Sequence, residues 1–143
     1  MNRKWEGHIQ KIRGESLRDA AMVAMLAHYG LKPGEVLALK GEHLDLQEGT
    51  FIVDERKFDL HEGISGMLKE LGAGEAAWVF EGRKGKAITA RNLQLITKKW
   101  VGKTPHQIRR EFAKDFVAKG GHPAELKKVL GHAKLETTAR LLE

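Results

Sequence analysis

The sequence predicts a mainly α-helical fold with a small antiparallel β-sheet, an α+β arrangement in a single domain over residues 1–143. Three observations point there: apolar residues recur at helical spacing over much of the chain, a short central stretch reads as strand-length runs, and Ser, Thr, Pro and Gly stand where helices would begin and end. No internal repeat or low-complexity segment interrupts the chain. With 41% hydrophobic residues in 143, it can bury a core of its own.

Residues 1–14 hold at most one helix. Ser16 followed by Asp19 marks a helix start, Leu17, Ala20, Ala21, Ala24 and Ala27 give an amphipathic stripe, and Gly30 can stop the run. Pro33 suits the first position of a short helical segment through Leu39. Residues 43–46 and 50–53 read as strands, residues 54–56 as a turn, and residues 57–60 as the returning strand of a small ribbon. A helix is expected over residues 61–71, a break over 72–75, a short strand or buried loop over 78–80, and a basic glycine-containing turn over 82–86. Thr89 can cap a helix through Trp100. Thr104, Pro105 and Gln107 form the clearest start, because Thr caps, Pro fits the first turn and Gln completes a capping box. Ile108, Phe112 and Phe116 supply that helix with a buried stripe. Gly120 and Gly121 end it, Pro123 opens another through Leu130, Gly131 ends that one, and a last segment runs from Leu135.

Composition narrows the function. No apolar run approaches the roughly 20 residues of a membrane span, and the start is too polar for a signal peptide, so a cytoplasmic protein with no membrane partner is expected. There is no cysteine, hence no disulfide framework and no thiolate metal site. The formal charge of +6, from 25 Lys+Arg against 19 Asp+Glu, draws the protein towards a polyanion, with nucleic acid first among candidates and a merely solvated surface as the alternative. His8, His28, His43, His61 and His122 show no metal-type spacing with carboxylates and are read as surface or helix-end residues. Trp5, Trp78 and Trp100 are read as core or interface anchors rather than base-stacking platforms.

The candidate chemistry lies in the last third. In Thr104-Pro105-His106-Gln107-Ile108-Arg109 an imidazole and a guanidinium stand three residues apart on the first turn of a helix. Free backbone donors and the positive dipole end favour an anion there, so the arginine can grip a phosphate while the histidine hydrogen-bonds or moves a proton. Gly120-Gly121, Leu126, Val129, Leu130-Gly131-His132, Leu135 and Thr137-Thr138 follow. Upstream stands Tyr29-Gly30-Leu31-Lys32-Pro33-Gly34-Glu35-Val36-Leu37-Ala38-Leu39, then Asp45.

In this order the two blocks resemble the catalytic domain of the tyrosine recombinase, or phage integrase, family, and they organise nearly the whole chain from Ser16 onward. The resemblance implies that fold, double-stranded DNA as partner, and a strand-transfer site that needs neither metal nor other cofactor. It further implies DNA integration or recombination, an origin in a mobile element, nucleoid association, and homo-oligomers or related recombinase subunits assembled on DNA. Cationic donors there would neutralise charge on the scissile phosphate, and a covalent phosphotyrosyl intermediate would conserve the energy of the cut bond.

Carried over by position, His106, Arg109 and His132 are the phosphate-handling residues, with Arg110 beside them. The pattern's first arginine is replaced by Lys32, which keeps charge but loses the planar fork. Lys57 lies on the ribbon, whose hairpin is shortened, so it is either the catalytic lysine or a solvent-facing residue. Leu141 occupies the place of the tyrosine nucleophile and has no atom able to attack phosphorus. Tyr29, the only tyrosine, reads as a helix-end packing residue, and Thr137, Thr138 and Ser65 are assigned capping or surface roles. The family's N-terminal DNA-clamping domain is expected to be absent, the chain being either a fragment or a minimal relic. Three functions follow: a DNA-binding domain unable to cleave, an active recombinase whose nucleophile comes from elsewhere, and a helical interaction module that does not bind DNA.

Overall fold

The helix that begins at Ser16 is the axis around which the chain is wrapped. In a computed structural model that describes residues 3–143, this helix, α2 (Leu17–Tyr29), has Ser16 Oγ accepting from Asp19 N at 3.2 Å and Gly30 closing it in the left-handed conformation. It packs against α1 (Arg3–Glu15), α3 (Pro33–Leu37), α4 (Glu62–Glu70) and α6 (Pro105–Ala118). The expected amphipathic helix is therefore corrected: residues 19–27 and Tyr29 are all buried. The alanine stripe is the cause, because side chains that small let neighbouring helices close on every side, and Met22, Val23, Met25 and Leu26 fill what remains. Asp19 is buried with them because it is satisfied: Arg18 donates to Oδ1 and the Trp100 indole donates to Oδ2 at 2.9 Å.

The expected single N-terminal helix is α1, although Met1 and Asn2 lie outside the described residues. The sheet is the expected ribbon with shifted edges. β1 (Leu44–Asp45), β2 (Thr50–Val53) and β3 (Arg56–Asp59) form one antiparallel sheet in that order. β1 starts later than residue 43, because Gly41–His43 is spent on a 3-10 turn that docks on the loop after α4, Gly41 N donating to Ala76 O at 2.9 Å. The turn between β2 and β3 is only Asp54 and Glu55, with Asp54 at φ 55, so Arg56 joins the strand opposite Val53. Phe51 and Phe58 face each other across the ribbon and stack at 4.9 Å, with Tyr29 edge-on to Phe51. Tyr29 keeps its helix-end role: Oη donates to Asp59 O at 2.9 Å and accepts from His61 N at 2.8 Å, tying α2 to the ribbon and to the start of α4.

Residues 78–80 form a loop in which Val79 and Phe80 are buried and Trp78 is half-buried, held by Val79 N to Leu39 O and Ile88 N to Phe80 O. α5 (Ala90–Val101) starts at the Thr89 cap, and α6 has the expected capping box. α7 (Pro123–Leu130) and α8 (Leu135–Leu141) follow. Two apolar clusters result: the large one around α2, and a smaller one in which Ala113, Leu126, Leu130 and Leu141 are buried, with Phe112 and Phe116 against them. No helix among the described residues is long and apolar enough to cross a membrane.

Two features set measurable stabilities. A Cβ on Gly30 would need φ +65 and would lie 2.2 Å from the Phe112 ring. Gly30→Ala is expected to lower the unfolding free energy by about 3 kcal/mol, adding left-handed strain to overpacking, as read from urea unfolding. The His28 ring lies half-buried, 4.7 Å from Tyr29 and 5.2 Å from His61. Burial first, then His61 and Lys119, push its pKa down from 6.5 to about 4. Between those values the unfolded chain takes up a proton that the folded one refuses, so stability falls as pH drops through this window. His28→Phe removes that contribution, and the variant should gain on the wild type as pH falls; a difference that stays flat over the window would contradict the assignment.

Candidate active site

Arg109 enters the interior one turn after the Thr104 cap, and it is only 4% exposed. A buried guanidinium needs acceptors for its donors, and the backbone supplies them. Nη1 donates to Gly30 O at 2.5 Å, and Nη2 donates to Leu130 O at 3.3 Å and contacts His132 Nε2 at 2.9 Å. His132 Nδ1 is in turn 2.9 Å from Thr138 Oγ1, on α8. Burial pushes the Arg109 pKa down from its usual value, Glu35 opposes that shift, and Arg56 adds to it. Burial also leads the lowering at His132, followed by Arg109, Lys32 and Arg56, with Glu35 opposing.

A second guanidinium approaches from the ribbon. Arg56 Nη1 donates to Val129 O at 2.7 Å, and Nη2 forms an ion pair with Glu35. Glu35 Oε1 also accepts from Lys32 N at 2.8 Å, so the short helix α3 is fastened at both ends of this carboxylate. Arg56 and Arg109 thus take successive carbonyls, Val129 and Leu130, at the C-terminal end of α7, where unpaired acceptors and the negative dipole end favour cations. Gly131 is required for two reasons: its φ is +73, and a Cβ there would lie 2.8 Å from Arg56 Cζ.

The structure thus brings together Arg109 and His132 in contact, with the exposed Lys32 within electrostatic reach of His132. It does not bring in His106, which is exposed on the turn before Arg109 and has no hydrogen bond to Arg109 or His132 among the described residues. Arg110 is half-buried, its Nε sealed from solvent without a hydrogen-bond partner among the described residues. Of the two roles open to Lys57, the solvent-facing one matches its placement: it is exposed on the other face of the ribbon, lining an open cleft with His43, Leu44, Ile52 and Lys69. Side chains alternate along a strand, so an inward Phe58 forces Lys57 out and Arg56 in. Leu141 is 7% exposed in the smaller apolar cluster, one turn beyond Thr138 on the same face of α8.

Sequence reading missed three residues of this cluster, Arg56, Thr138 and Glu35, and also the burial of Ser65 on α4. Arg56 was available from strand alternation counted back from Phe58. Thr138, assigned a capping or surface role, is fully buried against His132, and its three-residue spacing from Leu141 was the signal. Ser65 is also buried, at 9% exposure, rather than on the surface. Glu35 carried no signal, because its partner is distant in sequence. His43, His61 and His122 are helix-end or turn residues as expected, each accepting a backbone N–H through Nδ1.

The chain belongs to a known family of mainly helical domains. The profile of the phage integrase family matches residues 7–141. Tyrosine recombinase XerC of Escherichia coli O1:K1 / APEC is 30% identical over 141 residues, taking in 86% of this chain and 47% of that protein, so the chain spans about half the length of this curated relative. XerH site-specific recombinase, solved bound to its difH substrate in a pre-cleavage complex, superposes with a TM-score of 0.83 at 20% identity, over 100% of this chain and 49% of that one. The Tn1549 transposon integrase, solved with transposon right end DNA, gives 0.78 at 19% identity, over 100% and 60%. The fold is that of tyrosine recombinase catalytic domains.

Arg109→Lys keeps the charge but cannot span Gly30 O and Leu130 O together. It is expected to lower the unfolding free energy by about 2–4 kcal/mol, because buried carbonyls lose their donors. A urea-unfolding difference below about 1 kcal/mol would show that the bridge contributes little.

Proposed function

We propose that the chain is a DNA-binding domain of the tyrosine recombinase type that holds a duplex phosphodiester without cutting it. The observation that carries this reading is the contact of Arg109 with His132 beside Lys32. Three of the five guanidinium N–H groups of Arg109 are engaged, which leaves Nε and one Nη1 hydrogen for a phosphate oxygen. Lys32 adds a mobile point charge, His132 adds an imidazole, and the exposed His106 and neighbouring Arg110 extend the phosphate contacts along α6. Support comes from XerH and the Tn1549 integrase, which share the fold and were solved with difH and with transposon DNA respectively. Related subunits or further copies of the chain would assemble on the same duplex, in the nucleoid.

Cleavage needs a nucleophile, and the chain offers an aliphatic group instead. Leu141 fills the tyrosine's place, packed among Ala113, Leu126 and Leu130. The ribbon turns its lysine outward, so the leaving oxygen has no partner from Lys57 either.

Fluorescence anisotropy on a labelled duplex tests the binding. Affinity should fall linearly in log–log form as salt rises, with a slope near 0.9 per phosphate contact, and Lys32→Ala should make that slope shallower by about one. Salt-independent failure to bind any duplex would leave the interaction-module reading instead. A suicide duplex nicked beside the cut should yield no covalent protein–DNA adduct on a denaturing gel; an adduct would overturn the non-cleaving half of the proposal.

A further inference from the structure

The hydrogen bonds around His132 determine which of its nitrogens carries the proton. A guanidinium has five donors and no acceptor, so the 2.9 Å contact from Arg109 Nη2 requires a lone pair on His132 Nε2. With Nε2 unprotonated, the ring proton of the neutral imidazole is on Nδ1, where the Thr138 hydroxyl oxygen lies 2.9 Å away. The reverse tautomer would set an Nε2–H against a guanidinium N–H. Thr138 is fully buried, and α8 is only seven residues long, so the hydroxyl is held in place by packing on α7 rather than by the helix alone.

We infer that Thr138 is a positioning residue that locks His132 in the Nδ1-protonated tautomer, so that Nε2 is the atom facing the phosphate and takes up a proton when the anion binds. The second clause rests on the phosphate-binding reading; the first does not. A phosphodiester oxygen drawn to Arg109 would meet the Nε2 lone pair, and two acceptors repel. One proton taken from solvent onto Nε2 gives an imidazolium with Nδ1–H still on Thr138 and Nε2–H on the phosphate, while the Arg109 Nη2–H that Nε2 had accepted turns to the same phosphate, so that both groups donate to the anion rather than face each other. The groups facing the ring are Arg109 of α6, Lys32 ahead of α3, Arg56 of β3, Glu35 of α3 and Thr138 of α8. Burial first, then the three cations, push the pKa of the ring down, and an added anion opposes them.

Long-range proton–nitrogen NMR of the imidazole rings in the full chain reads this directly, with His132→Asn identifying the His132 signals. In the free wild type, His132 should show one protonated nitrogen, Nδ1, and a lone-pair-type Nε2 shift. Thr138→Val keeps the branched side chain but removes the hydroxyl acceptor and should lose the single-tautomer signature, while Thr138→Ser should retain it. A free wild-type ring protonated at Nε2, or an unchanged pure Nδ1–H tautomer in Thr138→Val, would overturn the lock. If Thr138→Val does not fold, Thr138→Ala takes its place, because it also lacks the hydroxyl acceptor, and a pure Nδ1–H ring in that variant would overturn the lock just as it would in Thr138→Val. Adding a short duplex should move both His132 nitrogens to the imidazolium range at a pH where the free ring is neutral. Duplex bound with the ring still neutral would overturn the proton uptake alone, whereas the correct free tautomer with no duplex bound would overturn the phosphate reading and leave the lock standing.

Discussion

The guanidinium of Arg109 lies between the C-terminal ends of two helices, and much of the molecule is arranged to keep it there. Its donors meet Gly30 O, where α2 stops, and Leu130 O, where α7 stops. Each end is turned by a glycine in the left-handed conformation, which leaves the carbonyls free to face the cation. Burying an unpaired charge would cost several kcal/mol, so the group is tolerated only because two helix dipoles and two backbone acceptors replace the water it has lost. The same contacts make one residue of α6 the junction between the large apolar cluster and the small one.

Arg56 repeats the device from the ribbon, one carbonyl earlier on α7. Together the two arginines attach the α7–α8 pair by its polar end while Leu126, Leu130 and Leu141 attach it by its apolar face. The turn that carries His132 is thereby fixed on both sides. What makes the site chemically useful is thus also what holds the last two helices on the fold, and substitutions there will disturb both.

The helical architecture was legible because its signals are local. The Thr104 capping box, the Pro123 start and the glycines at 30 and 131 each specify a boundary within a few residues, and the structure places boundaries there. The surroundings of α2 were not legible. An alanine stripe reads as one face of a helix, and only the neighbours reveal that the remaining faces are covered as well. The site was half legible: Arg109 and His132 stand out in the linear pattern, whereas Glu35 and Arg56 are 21 positions apart and meet only through the sheet. The expected turn takes in Arg56 and so runs one residue too far, and in a strand one residue is the difference between the two faces.

That dependence on parity reaches beyond a misplaced boundary. Phe58 must lie over Phe51 to complete the aromatic stack against Tyr29, and Arg56, two residues earlier, is carried to the same side with its guanidinium above the Phe58 ring. The kind of cation that meets Glu35 and α7 is therefore inherited from the placement of an aromatic ring. Exchanging the order of Arg56 and Lys57 would deliver an ammonium in place of a planar fork without altering composition, charge or the hydrophobic core. In this ribbon, sequence order alone separates a residue that bridges two elements from one that merely decorates the surface.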